Sequence, residues 1–90
     1  MTTLHETHPQ ILKRLKRAAG HLNGVIAMME AGRPCLELAQ QLHAVESAVA
    51  NAKQTLIHDH INHCLDESVR KPGAVSRRVL EEFKAISKYL

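Results

Sequence analysis

The chain has 90 residues, no Trp, one Phe, one Tyr and a formal net charge of +3, with a pI near 9.1. Such a length holds one small domain at most. With so few aromatic anchors, Ala, Leu, Val and Ile must build the core, which suits helix-on-helix packing in an oligomer better than a self-sufficient monomer. The mild basicity admits nucleic acid as a partner. No stretch is long or apolar enough for a signal peptide or a membrane span, and a cytoplasmic protein with reduced thiols is expected.

The whole of residues 1–90 reads as one helical domain. Residues 1–6 are expected to form a polar, mobile arm carrying His5. Thr7-His8-Pro9-Gln10 reads as a helix start, with a Thr cap and a Pro in the first turn. Leu12, Leu15, Ala19, Leu22, Ile26 and Met29 then recur at three- and four-residue spacing, predicting a first helix over about 8–31. Gly20 and Gly24 lie inside it and point to close approach of a neighbour rather than a break. Ala31-Gly32-Arg33-Pro34 is a stop-and-restart turn.

From Cys35 to Lys71 there is no Gly or Pro, and a second helix is expected over about 35–69. Its Leu38, Leu42, Val45, Val49, Ala52 and Leu56 alternate in four–three steps, the seam of a helical bundle, and His60 and Cys64 continue it. Pro72-Gly73 ends this element. Ser76 could cap a third helix over about 76–89, with Val79, Leu80, Phe83, Ile86 and Leu90 on its apolar face. Nothing in the chain has the alternation of a strand, so an all-α, three-helix protomer is expected.

Cys35, His60 and Cys64 are the candidate metal ligands, since thiolate and imidazole suit borderline and soft metals. His60 and Cys64 share one helix face. Cys35, however, would lie roughly 37 Å from His60 along a continuous helix, at ~1.5 Å per residue. One chain cannot close a site from all three. An antiparallel second copy, crossing near Ala48–Val49 where Ser47-Ala48-Val49-Ala50 are small, brings Cys35 of one chain opposite His60 and Cys64 of the other. The plainer alternative makes both cysteines small buried apolar residues and His60 an interface residue. His5 and His8 could donate extra nitrogen from the arm; His58 and His63 read as surface residues and His43 as structural.

Lys13, Arg14, Lys16 and Arg17 place four cations within five positions of the first helix, with no acid between them and Glu30. Arg33 follows in the turn, and His21 is either a polar packing residue or part of the same surface. Such a patch binds phosphates with salt-dependent, largely sequence-independent affinity. There is no helix-turn-helix or zinc-finger signature.

The basic first helix, Cys35, the segment Gln40-Gln41-Leu42-His43-Ala44-Val45 and His60-Ile61-Asn62-His63-Cys64 together resemble the CsoR/RcnR/FrmR family of bacterial metal- and small-molecule-responsive repressors. The resemblance spans nearly the whole chain. It implies an antiparallel helix-bundle dimer, assembled as a dimer of dimers, that binds operator DNA through basic surfaces when metal-free and is released by its effector. Arg14 and its neighbours, with Lys53 of the second helix, would then fall on the DNA face. Formaldehyde-responsive members use an N-terminal Pro and lack the second Cys, and persulfide-responsive members lack the His. The arm with His5 and His8 is similar to that of nickel-responsive members keeping both cysteines. The Cys–His–Cys set alone would suffice for Cu(I), but Pro34 stands where copper sensors often carry Tyr, and Asn51, Lys53 and Gln54 are less cationic than in typical copper sensors. The expectation is therefore a Ni(II) or Co(II) sensor, with Cu(I) as the alternative effector. Two rival classes are a metal-buffering protein without a DNA role and a plain helical scaffold. No nucleophile–base pair or phosphate-binding loop suggests an enzyme.

Overall fold

The computed structural model describes residues 7–70 and 77–90, the side chains of 67–70 excepted. Three helices make up the described chain: α1 (His8–Glu30), α2 (Cys35–Arg70) and α3 (Arg77–Ser87), with no strand among the described residues. The fold class is all-α, as the periodicity predicts. The arm with His5, the Pro72-Gly73 break and the Ser76 cap lie outside the described residues.

Pro9 stands in the first turn of α1, where its missing N–H costs nothing. Thr7 occupies the cap position, but its hydroxyl does not cap. Its backbone is already helical, at φ −91° and ψ −9°, whereas a capping side chain needs the extended region. The Oγ1 is left buried without a hydrogen-bond partner. The helix starts instead on the Thr7 carbonyl, which accepts from the Gln10 and Ile11 amides at 3.1 and 3.0 Å.

The end of α1 follows from one glycine. Gly32 has φ +75°, a conformation that side chains with a Cβ resist. It lets the Gly32 amide donate to the Met29 carbonyl at 3.0 Å and the Arg33 amide to the Met28 carbonyl at 3.1 Å, the paired bonds of a Schellman turn. The chain reverses, and the Leu38 amide donates to the Pro34 carbonyl at 3.1 Å to open α2. At the other terminus α3 stops at Ser87, two residues short of the predicted end. The Ser87 hydroxyl donates to the Lys84 carbonyl, and the Tyr89 amide to that of Ile86, in a closing turn.

α1 and α2 form an antiparallel hairpin. Its buried residues are Ile11, Ala18 and Val25 on α1 and Leu38, Val45 and Ala52 on α2, each series repeating every seven residues. Val25, Leu38 and Val45 meet at the turn end, with Met28 against them. The sequence seam of α2 is thus divided: alternate members face α1, while Leu42, Val49 and Leu56 face outward. On α1 the predicted apolar stripe is not the face that meets α2. Leu12, Leu15, Leu22, Ile26 and Met29 are each 39–57% exposed. The two outward stripes adjoin, since Leu12 and Leu15 line one apolar cleft with Leu56.

A chain with this much uncovered apolar surface is not a finished globule. Its radius of gyration is 18.1 Å and its extents 60 × 25 × 15 Å, against about 12 Å for a compact domain of this length. Its accessible surface is 6992 Å², well above the roughly 5,200 Å² of a compact monomer of this size. Gly20 and Gly24 fit the same picture: a Cβ at either would meet nothing within 4 Å in this chain.

Candidate functional site

α2 is unbroken from Cys35 to Arg70, so the condition set by the sequence holds. Cys35 is the first residue of the helix and exposed; His60 and Cys64 stand near its far end. At ~1.5 Å per residue the Cys35–His60 separation is roughly 37 Å. Among the described residues, no three His, Cys, Asp or Glu side chains of one chain come together as a metal site. Any site using all three candidates needs a second chain.

The His60–Cys64 end has its own local structure. Beyond Ala52 the buried positions leave the seam, and Ile57 and Cys64 are buried while Leu56 is not. The reason is a change of partner. α1 begins at His8, beside Leu56, and past that level α3 reaches α2. His60 lies on this new side, with Nε2 4.0 Å from Oε2 of Glu82 on α3 and its side chain 17% exposed. Glu82 is also held by Arg78 at 3.4 Å. Nε2 of His60 and Oδ2 of Asp59 are both buried without a hydrogen-bond partner. Adjacent buried polar orphans of this kind ask for a further partner.

His8 is half-buried at the head of α1 and lines the cleft with Leu56, one turn before His60. The head of α1 therefore lies at the end of α2 that carries His60. Of the other histidines, His58 and His43 are exposed and His63 is half-buried. His43 is exposed in the single chain, next to outward-facing Leu42.

Lys13, Arg14, Lys16 and Arg17 are exposed on α1 and Lys53 is exposed on α2. Arg33 is engaged in a two-pronged hydrogen bond to Glu37, at 3.0 and 2.9 Å. His21 crosses the hairpin to Gln41, with Nε2 2.6 Å from Oε1. Arg14, Arg17 and His21 line one cleft with Asn51. The sequence reading did not single out Glu82 or Gln41. Gln41 was findable, since His21 and Gln41 stand at similar distances on either side of the Gly32 turn. Glu82 was not, because the route from α2 to α3 carries no such register.

The described chain is thus an all-α hairpin with a cationic first helix, a thiol at the start of its second helix and an imidazole and a second thiol near that helix's far end. The chain belongs to the family of metal-sensitive transcriptional repressors, whose sequence profile matches residues 7–88. It is 34% identical over 82 residues to the copper-sensing transcriptional repressor CsoR of Bacillus subtilis (strain 168), covering 88% of this chain and 80% of that one. It is 40% identical over 58 residues to the copper-sensing transcriptional repressor CsoR of Mycobacterium ulcerans (strain Agy99), covering 64% of this chain. The chain spans about half the length of that mycobacterial relative, 50%. Among solved structures, the nickel-responsive transcriptional regulator InrS superposes with a TM-score of 0.82 at 30% identity, covering 96% of each chain. The family is one of repressors, not enzymes. No helix among the described residues is long and apolar enough to cross a membrane.

Proposed function

We propose that the chain is the subunit of a homo-oligomeric repressor that binds operator DNA without metal and releases it when Ni(II), or Co(II), binds. The sites are made by Cys35 of one copy with His60 and Cys64 of another, with His5 and His8 as further nitrogen donors. The observation that carries this reading is the unbroken α2, which sets the donors at opposite ends of one rod. The adjoining outward stripes of α1 and α2 supply the surface on which a second copy packs, and pairing of such dimers gives a tetramer.

The donor set fits a borderline metal. A bound ion would supply a bond joining the start of one α2 to the end of another. Around it, the chain's own residues set the geometry. Glu82, 4.0 Å from Nε2 of His60, would accept the Nε2–H after a small closing shift, which would fix the tautomer and leave Nδ1 with the lone pair. The exposed Cys35 thiol faces no competing partner in its own chain among the described residues, and Cys64 stands one helical turn beyond His60. Since metal releases DNA in this reading, linkage requires that the arrangement binding metal better be the one that binds DNA worse.

Nickel is favoured by the place of His8, beside Leu56 toward the His60 end of α2, and by the structural likeness to InrS. Copper is the second reading: the curated relatives are named for it, and a Cys–His–Cys set satisfies Cu(I) without the arm. The deciding experiment is an anaerobic titration of the reduced protein on DNA from beside its own gene, following absorbance and DNA release. Release by Ni(II) with thiolate charge-transfer bands, weakened in His5→Ala/His8→Ala, supports the nickel reading. Release by Cu(I) alone moves the chain to copper and makes those histidines bystanders. Failure to bind DNA in any state refutes the repressor and leaves a metal buffer. Cys35→Ala is expected to keep DNA binding and lose release; loss of DNA binding instead would make Cys35 structural.

A further inference from the structure

The outward stripe of α2 has a symmetry of its own. Leu42, Val49 and Leu56, each 38–45% exposed, repeat every seven residues, and the same step reaches Cys35 before them and His63 after them. Val49 is the midpoint, with Leu42 and Leu56 seven residues to either side and Cys35 and His63 fourteen. A seven-residue step falls only about 20° short of two full turns, and supercoiling takes up the remainder. A second α2 laid antiparallel on this stripe, crossing at Val49, therefore sets Leu42 against Leu56 and Cys35 against His63 of the other copy.

Helix geometry separates the donors at that end. At about 100° per residue, His63 points about 20° from the direction of Leu56, while His60 lies about 40° and Cys64 about 80° to the other side. That other side is where α3 packs: His60 is 4.0 Å from Glu82 and Cys64 is buried. His63 is half-buried, yet it has no hydrogen bond or ion pair among the described residues. The three donors span one helical turn, ~6 Å of rise, so a single ion beside Leu56's stripe is within reach of all of them. We infer that His63 of one copy is a fourth ligand to the metal held by Cys35 of the other, alongside His60 and Cys64, and that this nitrogen selects Ni(II) over Cu(I). The inference rests on the shared-site reading and deepens it.

The selection follows from coordination number. Two thiolates and one imidazole satisfy Cu(I), whereas Ni(II) takes four donors in a square-planar site. A second imidazole from α2 completes that plane with side chains of the helix pair alone, leaving His5 and His8 to any further position. The nitrogen thus adds to Ni(II) affinity and contributes little for Cu(I).

The test is Ni(II) and Cu(I) binding to the reduced full chain as wild type, His63→Ala, His58→Ala and Cys35→Ala, by competition with chelators. X-ray absorption of the Ni(II) form counts imidazoles, and sedimentation follows assembly. His58 is exposed and on the opposite side of α2, which makes it the control. In His63→Ala, Ni(II) affinity should fall about a hundred-fold or more and Cu(I) affinity less than about tenfold, a larger Ni(II) loss than that of a residue which only orients a ligand. The imidazole count should drop by one, with assembly unchanged and His58→Ala like wild type. Ni(II) affinity in His63→Ala within about tenfold of wild type overturns the inference and leaves Cys35, His60 and Cys64 as the site. A loss of affinity with an unchanged imidazole count, or equal losses for both metals in step with weaker assembly, makes His63 a packing residue and overturns it too. If Cys35→Ala also leaves Ni(II) affinity unchanged, the shared site itself fails and this inference with it.

Discussion

Val49→Glu is the substitution that bears hardest on the two-chain site. Val49 is 45% exposed in the single chain. It lies beside the expected crossing point, so each substitution acts twice, close to its own image. Full burial of a Val is worth about 1.5–2 kcal/mol, so covering the exposed part contributes roughly 0.8 kcal/mol per copy. Glutamate forfeits both shares and brings two carboxylates together out of water, a cost of at least ~3 kcal/mol for the pair unless they take up protons. Association should weaken by about 4–5 kcal/mol in total, raising the dissociation constant on the order of a thousand-fold. Sedimentation equilibrium over a range of concentrations reads this directly, with circular dichroism to show that the helices persist. Val49→Ala should shift the constant by only about tenfold. A Val49→Glu protein whose assembly is unchanged to within tenfold would place the interface elsewhere, and the shared metal site would fall with it.

Glu82→Gln should weaken metal binding about 10–100-fold by loosening the hold on His60, measured by competition with a chelator; unchanged affinity would show that the 4.0 Å approach does not matter. Gly32→Ala forces a Cβ into a positive-φ turn and should destabilise by about 1–2 kcal/mol, read from denaturant unfolding at fixed protein concentration, and a smaller loss than ~0.5 kcal/mol would count against the turn as drawn. Arg33→Ala should cost no more than about 0.5 kcal/mol, because its pair with Glu37 is solvent-exposed. Any phosphate on Arg33 would lie beside the Glu37 carboxylate held by its Nη2, so Glu37→Ala should strengthen DNA binding slightly at low salt, and no change would remove Arg33 from the DNA face.

The helices were legible because the punctuation is unambiguous: Pro9 near one start, Gly32-Arg33-Pro34 between two helices, and a long run free of Gly and Pro between Cys35 and Lys71. The inner face of each helix was less so. Ile11 is buried and Leu12 exposed, Ile57 buried and Leu56 exposed, although each pair is chemically equivalent. A helix that must satisfy both its own hairpin and a neighbour is apolar over two adjoining faces, and periodicity alone does not say which face meets which. Thr7 failed as a cap for a different reason, since residue type says nothing of the helical torsion it adopts. The contact from His60 to Glu82 depends on how α3 folds back, information that no short-range pattern holds. What the sequence did carry was the incompatibility of Cys35 and His60 within one straight helix, and that follows from helix rise alone.

The length of α2 also sets how two metal ions in one dimer can influence each other. In the proposed antiparallel assembly the two sites would lie near opposite ends of the paired rods, roughly 37 Å apart by helix rise at ~1.5 Å per residue. The electrostatic screening length at physiological ionic strength is only about 8 Å. The first ion's charge is therefore almost invisible to the second. Any cooperativity between them has to be mechanical, transmitted as a shift of one rigid helix along its twin, and should survive high salt undiminished.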